Sequence, residues 1–181
     1  MDIRTVRATL GEALSEVGLS EERFVPGGPK VWTLPGPEVI RYFNLQGYRR
    51  PWGFVVDGHI GIEIPELRSW LRTHRRPKEM GVFHDSFAFY HTANDAALNN
   101  FMIEMGKPIP SDLWAGLIHD RLAALPDTIS ELIRAYQGNK ERLGWLAHPT
   151  QRHAWQFLLK WRECPDPSLA VPQRLPNGRI V

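Results

Sequence analysis

Residues 31–64 read VWTLPGPEVIRYFNLQGYRRPWGFVVDGHIGIEI, and their pattern decides the architecture of the whole chain. From Phe54 the even positions are Phe54, Val56, Gly58, Ile60, Ile62 and Ile64, while Asp57, His59, Gly61 and Glu63 fall on odd positions. Alternation with a period of two is the mark of a strand, because successive side chains leave a pleated backbone on opposite faces. One face should be core and the other polar. Upstream, 30–34 and 38–46 have strand composition and are separated by Pro35, Gly36 and Pro37, a turn cluster. Three strands joined by connections of a few residues must be antiparallel, since a parallel pair needs a long crossover.

Working outward, Ile3, Val6, Leu10, Leu14 and Val17 recur at helical spacing, and Gly18 is placed to end that helix. After Ile64, Pro65 suits the first turn of a short helix with Leu67, Trp70 and Leu71 on its inner side. It leads into the basic link THRRPKEM, residues 73–80. Residues 83–90 supply a fourth strand. From Asn94 onward the texture is helical: a segment through Met105, one after Ser111 as cap, one begun by Thr128 with Glu131 at capping-box spacing, a short one from Asn139, and a last one after Thr150. The expectation is an α+β fold, an antiparallel sheet of about four strands with helices packed on one face and a helical C-terminal half. Residues 1–163 would form one domain, and 164–181, with four prolines, an extended tail.

Composition narrows the function classes. With 43% hydrophobic residues in 181, the chain can bury a core without metal or disulfide staples, and the lone Cys164 excludes an internal disulfide. Twenty-two basic against 20 acidic residues leave a formal charge of +2, too little for a global field toward nucleic acid or membrane. Charged residues at the N-terminus and the lack of a long apolar run point to a cytoplasmic protein without a membrane span. No nucleotide-binding glycine loop or Gly-x-Ser-x-Gly elbow is present. No cofactor is expected.

Three sets of residues remain as sites. The turn read at 47–52 carries Tyr48, Arg49, Arg50 and Trp52, and the basic link adds Arg72, Arg75, Arg76 and Lys78. Arginines among aromatics are the composition of a protein interface, and equally of a surface that stacks bases and meets phosphates. Asp57, His59 and Glu63 share the polar strand face and would serve a metal-dependent hydrolase. His84, Asp85 and His91 straddle the fourth strand with mixed parity, so one straight strand cannot converge all three. Seven tryptophans exceed the needs of one small core and suggest that some are exposed anchors. The leading expectation is a non-enzymatic protein that binds a protein partner, with nucleic acid binding and metal-dependent hydrolysis as alternatives.

The run VWTL, then EVIRYFNLQ, then a basic turn and GFVVDGHIGIEI resembles the bacterial domain-of-unknown-function family 4304. The residues that carry the likeness are Val39, Phe43, Asn44, Leu45 and Gln46, then Phe54, Val56, Ile60, Gly61 and Ile62. It covers mainly residues 1–64. Where that family has a serine after the glutamine, this chain has Gly47. The resemblance implies a small bacterial α+β protein of accessory or immunity type and brings no catalytic residues.

Overall fold

The computed structural model describes residues 3–24, 30–50, 53–74, 88–92, 110–147 and 152–163. Helix α1 spans Ile3–Glu16, followed by β1 (Ser20–Glu22), β2 (Val31–Pro35), β3 (Ile40–Arg50) and β4 (Gly53–Glu63). Then come α2 (Pro65–His74), β5 (Ala88–Thr92), α3 (Ser111–Ala123), α4 (Ile129–Gly138), a 3₁₀ segment (Lys140–Ala147) and α5 (Arg152–Glu163). The strands form one antiparallel sheet in the order β1-β2-β3-β4-β5, so each strand pairs with its sequence neighbours. The α+β architecture is as the sequence indicates. One strand lay outside that reading: β1 is the polar triplet Ser-Glu-Glu, all three exposed, and such an edge carries no apolar alternation to reveal it.

The core forms where the alternation places it. Register pairs Trp32 with Phe43 and Phe43 with Ile60, then Leu34 with Arg41 and Arg41 with Ile62, so these side chains share a face. Trp32 and Phe43 meet at a ring-centroid separation of 6.0 Å. Helix α1 lays Val6, Leu10 and Leu14 into the same buried cluster, which also takes in Ile118 and Leu122 of α3, Ile129 and Leu132 of α4, and Trp155 and Leu158 of α5. Each buried Leu or Ile contributes about 1.5–3 kcal/mol by leaving water, so this layer dominates the stability of the fold.

Helix ends follow their local chemistry. Gly18 takes φ +92, and the amides of Gly18 and Leu19 donate to the carbonyls of Ser15 and Leu14, 3.0 Å each. This is a Schellman closure, with Leu19 buried beside Leu14. Thr128 caps α4 by accepting the Glu131 amide at 3.2 Å, as its spacing implies. Ser111 does not cap α3. It is the first helical residue, with Pro110 in the cap position, and its hydroxyl donates to Asp112 at 3.2 Å. A proline cannot continue the helix backward, but its carbonyl accepts the Trp114 amide and so closes the first turn one residue early.

Candidate functional site

The connection between β3 and β4 is shorter than residues 47–52. Register runs without a break from Ile40↔Glu63 to Arg50↔Gly53, so Tyr48, Arg49 and Arg50 are strand residues opposite Val55, Phe54 and Gly53. Only residues 51 and 52 join the strands. Tyrosine is a good strand former, and a two-residue link suffices once these residues extend the ladder.

The two long strands outrun their neighbours. β2 pairs with β3 only as far as Val31↔Asn44, and β5 pairs with β4 only from His59↔Thr92 onward. The six pairs from Leu45↔Gly58 to Arg50↔Gly53 therefore form a two-stranded arm with no third strand beside it among the described residues. At the usual rise its length is about 17 Å. Tyr48, Arg49 and Arg50 stand at its far end. Trp52, Arg75, Arg76 and Lys78 lie outside the described residues, and Arg72 falls in the C-terminal half of α2.

Hydrogen-bond direction along the arm follows from its closure. With only two residues in the link, Arg50 and Gly53 must be the hydrogen-bonded pair, and bonded pairs alternate from there. The backbone N–H and C=O of Gln46, Tyr48 and Arg50 thus face β4, while those of Leu45, Gly47 and Arg49 face the edge where β2 has ended. The Leu45 carbonyl accepts from the Arg7 guanidinium of α1, as an outward-facing carbonyl must. Lys30, the residue that would continue β2 opposite Leu45, is not in a strand and pairs instead with Glu21.

From His59 to Glu63 the odd face of β4 is polar but is not a solvated surface. His59 is 9% exposed and Glu63 0% exposed, with Thr33, Tyr42 and Asn44 buried on the same face. Part of the cover is local to α2 and to the segment after β1. Arg68 reaches Glu63 Oε1 at 2.9 Å, donates to the Phe24 carbonyl at 3.3 Å and lies over the Phe24 ring, which itself meets Tyr42 edge-on at 5.0 Å. His59 stands directly opposite Asn44 in the register. Among the described residues, the Asn44 side-chain oxygen is buried without a hydrogen-bond partner.

The metal arrangement weighed for Asp57, His59 and Glu63 meets a spacing limit. Six residues of strand separate Asp57 from Glu63 by about 20 Å, and four separate His59 from Glu63 by about 13 Å. One ion cannot gather all three. Among the described residues, no group of three His, Cys, Asp or Glu side chains is placed to hold a metal. His84, Asp85, His148 and Cys164 lie outside the described residues; His91 is in β5 opposite Ile60, and His153 in α5. His119 is part-exposed and meets its neighbour Asp120 at 3.4 Å.

Of the tryptophans among which exposed anchors are expected, Trp52 lies outside the described residues, as do the side chains of Trp70 and Trp145. Trp32, Trp114, Trp155 and Trp161 are all buried. Trp155 stacks on Tyr136 at 4.0 Å with the rings 7° apart and donates its indole N–H to the Leu146 carbonyl, while Lys140 sits 4.8 Å above the other Tyr136 face. Trp155 thus ties α4, the 3₁₀ segment and α5 together.

These features define an α+β protein built on a five-stranded antiparallel meander in which, among the described residues, the β3–β4 hairpin extends past its neighbouring strands. No family model matches the chain, and no curated protein or solved structure matches it either. The resemblance noted over residues 1–64 therefore rests on those residues alone. Among the described residues, no helix is long and apolar enough to cross a membrane.

Proposed function

We propose that this chain is a non-enzymatic, cytoplasmic binding protein of a bacterial cell that contacts another protein through the β3–β4 arm, assisted by the basic stretch 72–78. The observation that carries the reading is the arm itself. An arm of about 17 Å with no third strand beside it among the described residues bears Tyr48, Arg49 and Arg50 at its end, next to Trp52 in the chain. Those residue types supply most hot spots at protein interfaces, because they combine a large contact area with directed hydrogen bonds.

The test is affinity capture from the native host with wild-type protein and the R49A/R50A/W52A variant, with and without nuclease. A partner recovered by wild type, reduced at least about tenfold by the triple change and indifferent to nuclease supports the reading, since loss of two or three hot-spot side chains is worth several kcal/mol. The partner is then purified and its affinity measured with both forms. Equal recovery by the two forms removes the arm from the argument. Recovery that vanishes with nuclease or falls steeply with salt transfers the surface to nucleic acid.

A further inference from the structure

We infer that the outer edge of β3, at Gly47 and Arg49, is a strand-addition site for an extended acidic segment of the partner. This rests on the proposed protein-binding function and specifies its mode. Two backbone N–H and C=O pairs, from Gly47 and Arg49, face away from β4 along an edge that β2 leaves at Val31↔Asn44. The chain itself does not continue along this edge at its first step: Lys30 has left the strand, and Arg7 already occupies the Leu45 carbonyl. Among the described residues no strand continues along the edge beyond, which supplies the alternating donors and acceptors that an added strand needs.

Charge selects the occupant. Edge arginines normally repel a neutral or basic strand from pairing, and an acidic strand reverses that penalty. Arg49 and Arg50 stand on the edge strand and Arg7 binds at its base, while Asp57, opposite Gln46, is the one acidic residue in the arm between Leu45 and Gly58. The opposite edge, on β4, carries no basic residue between Gly53 and Gly58, so an acidic strand gains nothing there. An acidic partner segment is therefore directed to β3.

The test uses the full-length protein and a blocked heptapeptide of alternating glutamate and valine, with a lysine–valine peptide as control. Titration calorimetry gives the affinity, and amide hydrogen exchange read by NMR locates the contact. The expected result is saturable binding of the glutamate peptide only, slower exchange at the Gly47 and Arg49 amides, and affinity at least about tenfold weaker for R49A/R50A. Gly47→Pro, which removes an outward N–H without touching the β3–β4 ladder, should abolish binding while leaving the melting temperature within a few degrees. If that variant does not fold, the exchange pattern of the wild type decides alone. No binding, equal binding of the lysine peptide, or protection at Phe54 and Val56 instead would overturn the inference. Should the peptide fail while R49A/R50A/W52A still loses its partner, strand addition falls and protein binding stands. Should capture be unaffected by the triple change, the function itself falls.

Discussion

Arg41 sits on the apolar face of the sheet, 8% exposed, between Leu34 of β2 and Ile62 of β4. A cation there is costly unless every donor is used. Its Nε donates to the Leu34 carbonyl at 3.4 Å, Nη2 to Pro35 at 3.3 Å and Nη1 to Leu125 at 3.4 Å, so one guanidinium ties the end of β2 to the end of α3. These bonds are long, which places each near the lower end of a charged hydrogen bond's worth. Arg41→Ala nevertheless removes all three bonds, and a loss of about 3 kcal/mol is expected, seen as a melting temperature lower by about 6–12 °C. Arg41→Lys should recover only part of this, because an ammonium lacks the planar fork that spans three acceptors. A lysine variant as stable as wild type would show that charge, not geometry, is what the site requires. Gly18→Ala, forcing a side chain into the left-handed region, should cost about 1 kcal/mol in the same measurement.

Between elements, the turn from β2 to β3 docks on the turn from α3 to α4. Glu38 Oε2 accepts the Ile129 amide at 2.7 Å from 91 residues away, and the Glu38 amide donates to the Asp127 carbonyl at 3.4 Å. The N-terminus of α4 thus has one cap from its own chain, Thr128, and a second from the sheet, a carboxylate at the positive end of the helix. Thr128→Ala and Glu38→Ala should each cost about 1 kcal/mol, and the pair should depart from additivity because both feed one helix end. Gly36 permits the approach. A Cβ there would lie 2.8 Å from the Asp127 Cβ and 2.9 Å from its carbonyl oxygen. Gly36→Ala should therefore weaken the docking by about 1–3 kcal/mol, measured by chemical denaturation, and lower the penalty of Glu38→Ala in the double variant. The cap at Thr128 was legible from four residues of sequence. Its distant partner was not, because nothing local to Glu38 announces a helix end reached only after the chain has folded.

Across the whole molecule the same division holds. Ile60, Ile62 and Ile64 could be assigned to the core from parity alone, since a strand's period fixes which residues share a face. The burial of His59 and Glu63 on the other face could not, because part of the cover comes from Phe24 and Arg68, which the sequence does not link to β4. The arm was legible as residues and misread as shape: arginine and glycine at 47–50 look like a turn until the ladder is seen to run through them. Protection from hydrogen exchange should follow this map, strongest at Phe43 and Ile60 in the middle of the sheet and weakest at Gly47 and Arg49. Slow exchange at the latter two in the free protein would mean that the arm's edge is already covered. The contacts that close the apolar face also have a consequence for synthesis. Leu125 and Ile129 leave the ribosome long after the strands they complete, so the nascent meander must wait with Trp32, Phe43 and Ile62 lacking the cover that α3 and α4 supply. A chain stopped before Ser111 is therefore expected to depend on chaperones or precipitate during translation, whereas the full-length product emerges able to seal itself.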